Sequence, residues 1–254
     1  MHGHVSDIIT RQQWQDWPSA RQLSALLPGD ACSGTGAPLH FATKTDAGFD
    51  GAAAYERHIH DTGEIPLRPA FWHDLFNALM WIQFPAIKTA LNEAHCQELD
   101  NPTQQRSARR DALTLLDECG VLIGVTDMQP RARHAEHRWH DLFVTGRAAW
   151  HRDIVPMMIG HGLCEQGLHA YIGLTGKALY VTMETHWLRV PHDERRRLID
   201  TQLAGQIRHG NAVMTTKELL PLPLLGVPGW WPDNENDTFY SDADYFRPKR
   251  QGRL

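Results

Sequence analysis

The run Phe71-Trp72-His73-Asp74-Leu75-Phe76-Asn77-Ala78-Leu79-Met80-Trp81-Ile82 is the densest apolar stretch of the chain, and Phe84-Pro85 closes it. Trp72, Leu75, Phe76, Leu79 and Met80 fall at i, i+3, i+4, i+7 and i+8, the spacing of a helix that buries one face. Proline has no amide hydrogen to continue a helix, so this one stops before Pro85, which suits the first turn of the next. The second helix runs from Pro85 to about Leu99, with Ile87, Ala90, Leu91 and Ala94 as its apolar stripe. Each helix also carries polar side chains on another face: His73 and Asn77 one turn apart on the first, with Asp74 beside them, and Lys88, Asn92 and His95 at i, i+4 and i+7 on the second. Two helices broken at Pro85 can turn these stripes toward one cleft.

The rest of the chain is arranged around this pair. Residues 1–49 are mixed, with a short helix carrying Trp14, Trp17, Leu23, Leu26 and Leu27, ended by Pro28-Gly29-Asp30 and followed by a loop through Pro38. Gly34-x-Gly36 lacks the third glycine and the preceding strand of a phosphate loop. A helix is expected from an Asp50 N-cap through His60, stopping near Gly63, and then an extended connector, Glu64 to Ala70, holding Pro66 and Pro69. Asn101-Pro102 opens a new segment, and Gln104 to Arg110 reads as a short basic helix. Ala112–Leu116 and Val121–Val125 flank Asp117-Glu118-Cys119-Gly120, a β-hairpin pattern. A single helix through Leu116 competes with it, and the hairpin is preferred. Residues 134–150 and Ile154 to Leu168 read as helices, the latter with close packing at Gly160-His161-Gly162. Ala178–Met183 reads as a strand and Asp193 to Gly210 as an amphipathic helix. Trp139-His140-Asp141-Leu142-Phe143 repeats Trp72–Phe76, but the echo extends no further. From Leu220 the tail is too rich in proline and glycine for regular structure and too aromatic for disorder.

The expected fold is α+β: a mainly helical single domain with a small antiparallel sheet built on the 112–126 hairpin and the 178–183 strand. Its parts are an N-terminal segment (1–49), a body (50–219) and an irregular C-terminal wrap (220–254) anchored by its tryptophans.

At this point a resemblance becomes readable. Trp72-His73-Asp74-Leu75-Phe76-Asn77-Ala78-Leu79 with Trp81, Phe84-Pro85, Lys88, Leu91-Asn92 and His95 resembles the signature of a bacterial family of uncharacterised proteins, a domain of unknown function. Arg110-Asp111-Ala112-Leu113-Thr114, Asp117-Glu118 and Gly120 resemble its second block, and Gly160-His161 a third. Pro221-Leu222-Pro223-Leu224-Leu225-Gly226-Val227-Pro228-Gly229-Trp230, with Phe239-Tyr240 and Phe246-Arg247-Pro248, resembles its last. The likeness covers roughly residues 50–250 and departs at Cys119, where the pattern favours a small polar turn residue such as Asn. It implies no activity, cofactor or catalytic residue.

Composition narrows the function classes. With 254 residues, a formal net charge of −5 and 30 acidic against 25 basic residues, the chain can bury a sizeable core but has no broad polyanion-binding character. No basic n-region precedes an apolar run at the N-terminus, and no stretch approaches the ~18 apolar residues of a membrane span. Cys32, Cys96, Cys119 and Cys164 are widely spaced without C-x-x-C, which reads as reduced thiols in a cytoplasmic protein. Sixteen histidines raise the prospect of metal or acid–base chemistry.

The first candidate site joins His73, Asn77, Lys88, Asn92 and His95 to Arg110, Asp111 and Asp117 from the hairpin. His73 or His95 acts as general acid or base, Asp111 or Asp117 orients it, the two asparagines hold substrate, and Lys88 or Arg110 binds an anion. The competing reading is that these groups only tie loops to helices. A divalent metal is the second candidate. His134, His137 and His140 drift by about 120° around a helix, so all three fit one ion poorly. His58-x-His60 suits a strand or loop better than its helix, and His73 with Asp111 or His161 offers ligands from distant segments. Asp233 to Asp244 spaces oxygen donors like a calcium loop, but Thr238 replaces the required glycine. Arg106, Arg109, Arg110 and Arg195-Arg196-Arg197 could meet phosphates, yet their separation in an acidic chain reads as solvated helix faces, against a nucleic-acid partner.

The functional expectation is a cytoplasmic protein with a candidate polar cleft at the central helix, open to a small molecule; whether it is an enzyme is not readable, and its catalytic reading is a hydrolase using His/Asp acid–base or metal-assisted chemistry. The alternative is a non-catalytic binding or scaffold protein with a protein or nucleic-acid partner; oligomeric state is not readable. The discriminator is spatial: the catalytic reading in this form, with this set of residues, requires His73, Asn77, Lys88, Asp111 and His161 to border one solvent-reachable pocket.

Overall fold

Proline decides the centre of the molecule. In the computed structural model, which describes residues 3–44, 49–100 and 107–249, helix stops at Phe84 and restarts with Pro85 in its first turn. The elements run α1 (Gly3–Gln12), α2 (Ala20–Ser24), β1 (His40–Thr43), α3 (Ala52–Thr62), β2 (Glu64–Leu67), α4 (Trp72–Gln83), α5 (Pro85–Leu99), α6 (Ala108–Cys119), β3 (Gly120–Val125), α7 (Gln129–Ala135), β4 (Val155–Met158), α8 (His161–Gln166), β5 (Thr175–Thr182), α9 (His192–Arg208) and β6 (Leu220–Pro223). The fold is α+β and mainly helical, as expected.

Along α4, Leu75, Phe76, Leu79 and Met80 are buried as the periodicity requires, but Trp72 is 44% exposed, edge-on to Trp17. Ile87, Ala90, Leu91 and Ala94 of α5 are buried too, and so is its polar stripe, with Lys88 only 4% and Asn92 2% exposed. Gly51, not Asp50, takes the N-cap position of α3, and Gly63 ends it in the left-handed conformation at φ 71°. The connector after it contains β2, which pairs in parallel with β1, a strand the sequence reading left within the mixed N-terminal segment.

The expected 112–126 hairpin does not form. Ser107 caps α6 by accepting from the Arg110 amide, and Ala112, Leu113 and Leu116 form its buried face, so Asp117 and Glu118 lie in a last helical turn. β3 then starts at Gly120. Its two neighbours come from far along the chain: β4 antiparallel, with Val121 opposite Met158, and β5 parallel, with Val121 opposite Ala178. The sheet is therefore mixed, in the order β4-β3-β5-β6, rather than antiparallel. All six residues of β3 are buried, which explains its unbroken apolar run.

The expected helix from Ile154 to Leu168 is instead the edge strand β4, a bend and α8. Pro156 is tolerated there because an edge strand leaves one side unpaired. The opposite edge, β6, holds Pro221 and Pro223, so the tail does contribute a regular strand. The expected 134–150 helix breaks after α7: His137 has a positive φ of 53°, and a π-helical turn follows over His140–Thr145. The C-terminal wrap is anchored less by Trp230 and Trp231, which are partly buried, than by Leu224, Leu225, Tyr240, Tyr245 and Phe246, which are buried.

The four cysteines are free thiols. Among the described residues, no helix is long and apolar enough to cross a membrane. Asn101, Pro102, Gln104 and Arg106 lie outside the described residues.

Candidate functional site

Helical spacing turns one stripe from each of four helices into a common space. Tyr55 and Glu56 come from α3, His73, Asn77 and Trp81 from α4, and Lys88, Asn92 and His95 from α5. Arg110, Thr114, Asp117 and Glu118 come from α6, and His161 opens α8. These side chains border a cavity of about 390 Å3.

One end is a continuous polar network. Lys88 Nζ donates to Asn77 Oδ1 at 2.9 Å and to Asp117 Oδ1 at 2.5 Å, and lies 5.3 Å from the Trp81 ring centroid. The Asn77 amide donates to the Tyr55 hydroxyl at 3.0 Å. Asn92 donates to the Glu56 carbonyl at 2.8 Å and to its carboxylate at 2.6 Å. Burial, reinforced by the Asp117 charge, pushes the Glu56 carboxyl up to about 7 against the opposing pull of Asn92, Lys88 and His161. Burial also drives the Tyr55 phenol far above its ordinary range. Burial opposes ionisation of Asp117 as well, yet Lys88 and His161 hold it below the usual carboxylate range.

Beside this network, two imidazoles and a carboxylate converge. His73 Nε2 is 3.1 Å from His161 Nε2, His161 Nε2 is 3.4 Å from Glu118 Oε1, and His73 Nε2 is 4.0 Å from the same oxygen. A triangle with those sides has a circumradius of about 2.1 Å, the length of a Zn–N or Zn–O bond. His73 Nδ1 lies 3.0 Å from Glu165 Oε2. A hydrogen bond donated from Nδ1 to Glu165 leaves Nε2, in the neutral imidazole, as the acceptor that faces the triangle. His161 Nδ1 is buried without a hydrogen-bond partner among the described residues, and Asp117 Oδ2 lies 3.7 Å away. His73 therefore has a hydrogen-bonded carboxylate behind it, the arrangement that orients metal-bound imidazole, while His161 has a carboxylate nearby but outside hydrogen-bond reach.

Glycines make this approach feasible. A Cβ at Gly160 would collide with the backbone of Cys119 and Gly120, and one at Gly162 would lie 2.5 Å from the Glu118 carboxylate. The antiparallel pairing of β3 with β4 sets the end of α6 beside the start of α8, and the two glycines let them touch.

Of the residues expected from sequence, His73, Asn77, Lys88, Asn92, His95, Arg110, Asp117 and His161 border the cavity. Asp111 does not: it is exposed on α6. It stands six residues before Asp117, about 120° around the same helix, so the two cannot share a face. The cleft requiring His73, Asn77, Lys88, Asp111 and His161 together is thus not formed, and Asp117 holds the carboxylate position. Glu56, Glu118 and Glu165 were not singled out as site residues; only the helical spacing of Glu118 from Arg110 and the Gly160-His161-Gly162 cluster hint at the contact.

The other histidine sets do not converge. His134 meets the Tyr180 hydroxyl and the Pro221 carbonyl, His137 the Arg247 carbonyl, and His140 Thr145. His58 meets Glu64 and His60 meets Asp61. In the acidic stretch, Asn234 is buried and donates to the Leu225 and Val227 carbonyls, so it faces the core rather than an ion. Arg109, Arg195 and Arg196 donate to backbone carbonyls of Ile207, Leu188 and Gln83.

A model of the family described as "Protein of unknown function (DUF3025)" matches residues 39–250, and the chain belongs to that family. No curated protein and no solved structure matches it.

Proposed function

We propose that this member of a family of unknown function is a metal-assisted hydrolase of a small molecule, holding one divalent transition ion through His73 Nε2, His161 Nε2 and Glu118. One observation carries the reading: three donor atoms share a point at metal–ligand distance, with Glu165 hydrogen-bonded behind His73. Two nitrogens and one oxygen would suit zinc, and these three residues line the cavity where a bound ion would meet substrate. There the ion supplies Lewis-acid polarisation and a lowered pKa for water.

The chain's own groups do the rest. Glu165 orients His73, Asp117 supplies negative charge beside His161, and Lys88 keeps Asp117 ionised. Glu56, with its carboxyl near neutrality, takes a proton from the attacking water. The water oxygen bonds to the electrophilic atom, the bond to the leaving group breaks, and the proton held by Glu56 passes to that group. Asn77 and Tyr55 offer polar contacts that position substrate.

The test is metal analysis of protein purified without a histidine tag and reconstituted with Zn(II), followed by assay against ester, amide and phosphoester panels. One ion per chain, lost in His161→Gln, is expected. Absence of stoichiometric Zn(II), Mn(II), Fe(II) or Ni(II) after reconstitution overturns the metal reading. Stoichiometric metal with no turnover on any panel overturns the hydrolase and leaves a metal-binding module.

A further inference from the structure

The cavity wall carries four long basic side chains, and three are committed. Lys44 pairs with Glu64 at 3.0 Å. Arg68 grips Asp74 through two guanidinium hydrogen bonds of 2.9 and 2.7 Å. Lys88 is held by Asp117 and Asn77. Arg110 differs: its Nε is buried and has no hydrogen-bond partner among the described residues. A buried guanidinium nitrogen left unpaired is unfavourable, and a planar fork of donors matches a carboxylate or phosphate.

Position gives this group a length scale. Arg110 and Asp117 are seven residues apart on α6, two turns along one face, or about 10 Å. Glu118, which closes the donor triangle with His73 and His161, follows directly. Leu91 of α5 and Ile59 of α3 add apolar wall to the same cavity.

We infer that Arg110 is the anion-recognising residue of the cavity, and that the substrate carries a terminal carboxylate or phosphate about 10 Å from the bond that is hydrolysed. The length relation rests on the metal-assisted reading above; the anion subsite does not.

Two measurements separate them. First, octanoate and octyl phosphate are titrated calorimetrically into the metal-free protein, with octanol as the uncharged control. At least one anion is expected to bind about tenfold more tightly than octanol, an advantage abolished in Arg110→Gln and partly kept in Arg110→Lys. The better anion identifies the carboxylate or phosphate source. No advantage for either anion, or one that survives Arg110→Gln, overturns the anion subsite. Second, suberic acid monohydroxamate and octanohydroxamic acid, of similar length, are compared on Zn(II)-loaded protein, with acetohydroxamic acid as the short control. The carboxylate is expected to add about tenfold in the wild type and nothing in Arg110→Gln, while acetohydroxamic acid binds both equally, which also reports an intact fold. If the carboxylate adds nothing although acetohydroxamic acid binds, the 10 Å relation is wrong. If the first measurement succeeds and no hydroxamate binds, the metal reading fails and the anion subsite stands.

Discussion

His134 and His161 are both buried, at 1% and 4% exposure, and they sit in opposite chemical circumstances. His134 is satisfied on both nitrogens, by the Tyr180 hydroxyl at 3.1 Å and the Pro221 carbonyl at 3.0 Å. Burial pushes its pKa down to about 4, so it is a neutral tie between α7, β5 and β6. His161 has one nitrogen without a hydrogen-bond partner among the described residues, and its other faces His73 and Glu118. Burial alone therefore does not mark a functional histidine; what distinguishes His161 is incomplete satisfaction among converging donors.

The charge beside His161 carries the largest expected effect. Lys88→Met leaves the partly buried Asp117 carboxylate without its buried cation and is expected to cost about 3 kcal/mol of stability. Urea unfolding measures this; an unchanged midpoint would show that Lys88 does not hold the charge balance beside His161. Next, His161→Gln should weaken Zn(II) binding by more than about 100-fold, whereas His134→Gln should leave it within about threefold. Competition against a chromophoric chelator reads both, and equal losses would erase the distinction.

A smaller effect concerns orientation. Glu165→Gln keeps the three donor atoms and removes the charge behind His73, so Zn(II) affinity should fall by roughly 10–100-fold. An unchanged affinity would make Glu165 a bystander.

The smallest effect lies on the satisfied side of the comparison. His134→Leu leaves the Tyr180 hydroxyl and Pro221 carbonyl unpaired, for a loss of about 1–3 kcal/mol at neutral pH. Because the folded-state pKa of His134 lies below its unfolded value near 6.5, its contribution is present above that pH and fades as pH falls through about 4. Unfolding curves between pH 7.5 and 4 should be flatter for His134→Leu. Glu56 titrates with the opposite sign. Its carboxyl is raised to about 7, so stability declines as pH rises from the ordinary carboxylate range through 7, and Glu56→Gln should lessen that decline.

Much of the core behind the cavity is legible in the linear order. Leu75, Phe76, Leu79 and Met80 on α4, and Ile87, Ala90, Leu91 and Ala94 on α5, follow from a period of 3.6 and a proline. The same period places His73 and Asn77, and Lys88, Asn92 and His95, on their shared faces. The expected strand at Val121–Val125 is present as β3, but Ala112–Leu116 is helix, because a five-residue apolar run looks alike in a helix and a strand. Ser107 as a cap and the burial of Ala112, Leu113 and Leu116 select helix for α6, while β3 is a strand because β4 and β5 arrive on either side of it. That one misreading also put Asp111 in the site and hid the place of Glu118 in it.

Local order thus decides the helices on either side of Pro85 and the facing of their side chains, because periodicity and the missing proline amide act within a few residues. The meeting of His73 with His161, 88 positions later, is decided only when the chain is folded. The β3–β4 register brings the end of α6 to the start of α8, and Gly160 and Gly162 remove the side chains that would hold them apart.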